Sequence, residues 1–199
     1  ITDTKATAIN KTYEGFTFDN TIEVLSGNIN PDGSLVLKVY YTRNTHTLSF
    51  LISPVNSGSV TKAGSYAYGS NVEINAVPAK GYTFSNWKVT TNNTTLSNTL
   101  TTKTNFTMPD SDVSITAYFS GINYTIKYDA NTGAGTMSNS IHTYDVAKKL
   151  NKNTFTKTGY SFIGWNTDKN ATSTAYLDEQ EVLNLASENG KIVTLYAIW

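Results

Sequence analysis

The chain has 199 residues, with 15 Lys and Arg balanced by 15 Asp and Glu, and no Cys. Sparse, balanced charge argues against nucleic acid or an anionic membrane surface as partner, and the lack of Cys excludes a disulfide framework and thiolate metal sites. There is no run of about 18 apolar residues, so no membrane-inserted helix is expected; abundant Thr, Tyr, Asn and Ser point to strands and turns facing water.

In chain order, the first recognisable element is GFTFDN at 15–20. A tight turn at NPDGS (30–34) follows, then an apolar strand, LVLKVYY (35–41). A second stretch opens with THTLSFLISPVNSGSV (45–60), a strand and a Gly/Asn/Ser turn suited to a hairpin. It continues to GYTFSNWKV (81–89) and ends on VSITAYF (113–119). Its Thr-rich part predicts an added hairpin at 88–107. The third stretch repeats the plan with NYTIKYDANTGAGTM (123–137), GYSFIGWNT (159–167) and VTLYAIW (193–199). Its LDEQEVLNLASENGK segment predicts a short helix over about 178–188, capped by Asp178, with Val182, Leu185 and Ala186 as its apolar stripe and Gly190 as its stop.

The three terminal strands share a register. Their alternate residues read Leu35, Leu37, Val39, Tyr41; Val113, Ile115, Ala117, Phe119; and Val193, Leu195, Ala197, Trp199, the apolar face of a half-buried strand. The first copy has too few residues before Gly15 to hold a front half like the other two. The segments are therefore read as 1–44, 45–120 and 121–199, joined by short links and closely coupled. The chain opens and closes abruptly and reads as a piece of a longer protein.

In the repeated Gly–aromatic–Ser/Thr–Phe motif, Gly permits a turn before a strand. Phe and Trp three apart cannot share one face of a regular strand, so a bend or bulge is expected between them. The aromatics read as core, since small domains need large core residues; the competing reading is an exposed platform for sugar rings.

These motifs resemble a known family. Residues 122–199 are similar to the internalin B-repeat, also called the Listeria–Bacteroides repeat, through NYTIKYDANTGAGTM, GYSFIGWNT and VTLYAIW. Residues 45–120 resemble its divergent form through GYTFSNWKV and FTMPDSDVSITAYF, and residues 1–44 resemble the back half of a mucin-binding-protein-like repeat. The resemblance implies tandem β-grasp-like modules, mostly β with one short helix (α+β), from which the second copy departs by lacking a clear helix. It also implies repeats of Gram-positive and related bacterial surface proteins, mostly spacers between an adhesive head and an anchor. It carries no site residues with it.

Little in the sequence points to chemistry. His46 and His142 are the only histidines, too few for a zinc site without carboxylates from elsewhere. Ser140, His142 and Asp145 supply the residue types of a triad, but neighbours so close in one strand are expected on alternate faces. Asp178, Glu179 and Glu181 read as helix-start charges. DANTG (129–133) and NTDKN (166–170) offer oxygens to calcium but read as turns, and a Lys–Asn isopeptide tie is an alternative without identifiable partners. The expectation is a monomeric, non-enzymatic repeat region at a bacterial cell surface, with no cofactor and no metal. Its partners are the flanking domains of the same protein. The alternative is an adhesin module that binds host glycan or protein, in which Tyr40, Tyr66, Tyr68 and Tyr118 would make the contacts.

Overall fold

A computed structural model of the chain describes residues 4–91 and 94–199. It is built from strands and turns, and no helix occurs among the described residues. The chain forms two compact units, Ile1–Leu51, Val60–Ala76 and Asn86–Ala117 in one, and Ile52–Ser59, Val77–Ser85 and Tyr118–Trp199 in the other.

The stretch read as the first copy contains β1 (Lys5–Thr7), β2 (Phe16–Val24), β3 (Ser26–Asn28) and β4 (Lys38–Arg43). β1 pairs with β3, and β2 pairs antiparallel with β4, matching Phe16 with Arg43 and Phe18 with Tyr41. The second copy contains β5 (Thr45–Ser53), β6 (Gly58–Thr61), β7 (Gly64–Ala67), β8 (Asn71–Pro78), β9 (Tyr82–Val89), β10 (Lys103–Thr107) and β11 (Val113–Gly121). They form a four-stranded sheet in the order β7-β5-β11-β9 and a three-stranded sheet in the order β10-β8-β6. The third copy contains β12 (Asn123–Asp129), β13 (Ser140–Thr143), β14 (Lys148–Lys149), β15 (Gly164–Asn166), β16 (Glu181–Val182) and β17 (Ile192–Ile198). Its four-stranded sheet runs β13-β12-β17-β15, and β14 pairs with β16. β12 and β17 are parallel, from Thr125 beside Ile192 to Asp129 beside Tyr196.

Alternation places the core. The expected faces of the two later terminal strands are covered: Val113, Ile115 and Ala117 in β11, and Leu195 and Ala197 in β17, are each at most 1% exposed. Trp165 is fully buried among Tyr128, Phe155 and Phe162, with ring centroids 5.1, 6.2 and 4.9 Å away.

Several expectations need correction. The helix at 178–188 is absent, and with it the helix of a β-grasp-like module. Instead Leu177–Gln180 is a tight turn, with Glu179 at φ 53° and the Gln180 amide donating to the Leu177 carbonyl. Asp178 accepts from the Asn153 amide, 2.8 Å away, rather than capping a helix. β-Branched Val182 enters β16, and Asn184 at φ 56° breaks the backbone again. Even so, Val182 is buried and Leu185 and Ala186 pack on the core. The apolar spacing foretold burial, which an irregular segment satisfies as well as a helix. Among the described residues no pair of strands makes the hairpin expected at 88–107: β10 pairs antiparallel with β8, and Asn92 and Asn93 lie outside the described residues. The strand returning on β5 is β7, since β6 joins the other sheet. The bend expected between Phe and Trp exists in the third copy, where β15 starts only at Gly164, with φ 148°. In the second copy β9 runs unbroken through both residues, and Phe84 packs on Phe119 while Trp87 packs near Phe50.

Candidate functional site

The motif glycines build the same turn three times. Gly15, Gly81 and Gly159 lie at φ 74°, 85° and 79°, the left-handed region that side chains avoid. Each is followed by an aromatic whose amide closes the turn: Phe16 onto Tyr13, Tyr82 onto Ala79, and Tyr160 onto Lys157, at 3.1–3.2 Å.

Two of these turns are joints between stretches that the sequence reads as successive copies. At the first, the Asn44 amide donates to the Gly15 carbonyl (2.9 Å) and the Tyr68 amide donates to the Asn44 carbonyl (2.8 Å). At the second, the Ile122 amide donates to the Gly81 carbonyl and the Tyr144 amide to the Ile122 carbonyl, both at 2.9 Å. Each tyrosine lays its ring where a glycine Cβ would stand: Tyr68 would lie 1.9 Å from a Cβ on Gly15, and Tyr144 2.5 Å from one on Gly81. The rings also meet the motif aromatics edge-on, Tyr68 on Phe16 at 6.3 Å and Tyr144 on Tyr82 at 5.5 Å. At the third turn Gly159 has nothing near its Cβ position, and Tyr160 is 60% exposed with the Lys157 ammonium over its ring.

A carboxylate holds each joint. Asp110 accepts from the Asn44 side-chain amide (2.9 Å), from the Gly15 backbone amide (3.0 Å), and lies 2.7 Å from His46 Nε2. Hydrogen bonds from Asn44, then His46, hold its pKa below the ordinary carboxylate value. Asp145 accepts from the Tyr82 hydroxyl and from the Asn184 amide. Those two bonds lower its pKa, and the same contact raises that of Tyr82.

Trp87 and Trp165 are buried, so neither is an exposed platform. The anticipated contact tyrosines are only partly gathered. Tyr40 and Tyr68 line one open, largely aromatic cavity of about 660 Å³, with Tyr13, Phe16, Val39 and Tyr41. Glu14 sits at the same cavity. Tyr66 and Tyr118 are not among its lining residues. Tyr66 is half-buried in β7, its hydroxyl donating to the Lys62 carbonyl at 2.7 Å, and Tyr118 is half-buried in β11. Phe16 and Tyr41 were legible only as parts of the repeat and the strand, and Tyr13 was not singled out; their gathering depends on the Gly15 turn and the β2–β4 register.

The two histidines differ. His46 lies on the first joint, beside Asp110. His142 is buried, stacked on Tyr124 at 5.6 Å, and its Nε2 lies 3.0 Å from Ser140 Oγ. The expectation that Ser140 and His142 take alternate faces is therefore corrected: residues two apart in a strand share a face. Asp145 does not complete a triad, being engaged with Tyr82 and Asn184. Ser140 Oγ instead meets the Tyr128 hydroxyl at 3.0 Å, and both side chains are buried. Burial, then Lys148, lowers the His142 pKa. In the oxygen-rich turns, Asp129 accepts from the Asn131 amide and Asp168 from the Asn170 amide, both at 2.9 Å, which are turn-making bonds. Among the described residues no three His, Asp or Glu side chains cluster as a metal site.

Comparison with known families agrees with the repeat pattern. No curated protein and no solved structure matches the chain. Residues 48–123 match the model of the divergent InlB B-repeat domain, and residues 124–198 match that of the Listeria-Bacteroides repeat domain. Such repeat families are typical of extracellular or surface proteins of bacteria. The chain thus belongs, over residues 48–198, to the InlB B-repeat and Listeria-Bacteroides repeat families, as one repeat of each kind in tandem.

Proposed function

We propose that the chain is a non-enzymatic spacer in a protein attached to a bacterial cell wall, holding an adhesive head away from that wall. Its working parts are three segments, 1–44, 45–120 and 121–199, acting as a monomer in line with flanking domains of the same protein. One observation carries this reading: the joint between copies is made twice from the same two backbone hydrogen bonds and the same tyrosine-on-glycine contact. A linker residue that both donates to the copy before it and accepts from the copy after it has little freedom to swing. Such a joint fits a part whose work is to transmit position.

The second reading, an adhesin module that docks host glycan or protein, is favoured by the aromatic cavity at Tyr40 and Tyr68. Exposed ring faces of this kind suit sugar stacking or an apolar peptide. The two readings separate in one assay. The intact chain, labelled, is offered to a glycan panel and to host cells. The spacer reading expects no saturable binding. Saturable binding that is lost in a folded Tyr40→Ala variant would establish the adhesin.

A further inference from the structure

The terminal strand has two neighbours in the second and third copies and one in the first. β11 lies between β9 and β5, and β17 lies between β15 and β12. β4 pairs with β2 alone among the described residues. The edge of β4 that corresponds to the β12 side of β17 therefore presents unpaired amides and carbonyls, the usual template for strand addition.

The sequence alignment of the terminal strands makes the consequence specific. Leu35, Leu37, Val39 and Tyr41 correspond to Val193, Leu195, Ala197 and Trp199. β17 is a strand from Ile192, whereas β4 is a strand only from Lys38. The residues of the first copy that remain outside a strand, Ser34–Leu37, are the counterparts of Ile192–Leu195, which lie beside Thr125–Tyr128 of β12. Burial follows the same line. Leu195 and Ala197 are fully buried, while Leu35, Leu37 and Val39 are half-exposed, Val36 is 64% exposed and Tyr40 is 39% exposed.

We propose that Leu35–Arg43 is an acceptor edge for a parallel strand, namely the opening strand of a repeat of this same type. The occupant is an extended segment with apolar residues at alternate positions and an acid near its end. Carried over from the third copy, the register places the acid at the position of Asp129 beside Lys38, since Asp129 lies beside Tyr196. Lys38 and Arg43 flank an uncharged stretch, Val39–Thr42, so charge favours an acidic end opposite Lys38. On docking, Leu35–Leu37 extends β4, and the apolar side chains of the incoming strand cover the face carrying Val39 and Tyr41.

The test uses the full chain, isotope-labelled, and a synthetic peptide of residues 123–130, NYTIKYDA, with a scrambled peptide as control. The expected result is saturable shifts confined to Leu35–Arg43 and its neighbours, with slowed exchange of alternate amides there. Lys38→Glu should weaken the complex roughly two- to fivefold, the scale of an exposed ion pair, and a peptide with Lys in place of its Asp should restore it. Three results with the peptide would overturn the proposal. One is no shift in Leu35–Arg43 up to the peptide's solubility limit. Another is equal binding of the scrambled peptide. The third is shifts confined to β17, showing that the peptide replaces β12 instead. Binding of a neutral oligosaccharide at Tyr40 and Tyr68 that excludes the peptide would assign this surface to a glycan and also end the proposal.

Discussion

Gly81 and Gly159 occupy the same turn at nearly the same φ, yet only Gly81 has a tyrosine ring against it. Alanine at either position meets the same backbone penalty, about 1–2 kcal/mol. Gly81→Ala must in addition displace Tyr144. Urea unfolding should therefore show Gly81→Ala as clearly the more destabilising, and a Tyr144→Ala background should shrink that excess toward zero. Equal losses at the two positions would mean the joint contact contributes nothing. The aromatics divide in the same way. Trp165→Ala should cost about 3–5 kcal/mol, the range for emptying a large buried aromatic site, whereas Tyr160→Ala, at an exposed ring, should cost less than about 1 kcal/mol. The Gly and the Trp were both legible in the repeated string. What the string did not disclose is that its first aromatic, Phe16 or Tyr82, serves a joint while its Trp serves the core.

At the scale of elements, the joints respond to pH through their acids. Asp110 and Asp145 have folded pKa values below the ordinary 3.8. In the window between the two values the unfolded chain binds more protons, so stability is present above the ordinary value and is lost as pH falls through the folded one. The thermal midpoint of the native chain should exceed that of Asp145→Asn at neutral pH, and the gap should close as the solution is taken to strong acid. Asn keeps the left-handed backbone that Asp145 adopts at φ 58°, so the comparison reads the charge. His142 acts earlier on the scale. Burial keeps it neutral when folded, so the unfolded chain gains the extra proton as pH drops below about 6.5. That contribution is present at neutral pH and fades on mild acidification, and His142→Phe should remove this limb of the stability curve while leaving the carboxylate limb. Elements were unevenly legible. Strands with strict alternation, such as VSITAYF and VTLYAIW, formed where expected. The segment 178–188 did not, because its apolar spacing suits a helix and an irregular crossing alike, and the positive φ at Glu179 and Asn184 is a choice made by packing.

Across the whole molecule, coupling is the property that separates a spacer from a string of independent beads. If the two joints transmit stability, calorimetric unfolding of the intact chain should be more cooperative than that of Gly81→Ala. The variant should broaden or split the transition, with the later-melting component retaining the Trp fluorescence of its own core. A transition unchanged in shape would show the copies to be energetically independent despite their short links.

The sequence alone determined what depends on local pattern: strands from period-two alternation, turns from Gly and Asn, a motif that recurs three times, and the family over residues 48–198. Those features are written in neighbouring residues. The tertiary structure decided which strand lies beside which, that β10 turns to β8, that Tyr68 and Tyr144 press on Gly15 and Gly81, and that, among the described residues, β4 is paired on one side only. Each of these joins residues far apart in the chain, so it is set by competition among packing alternatives of similar local merit, which no single stretch of sequence contains.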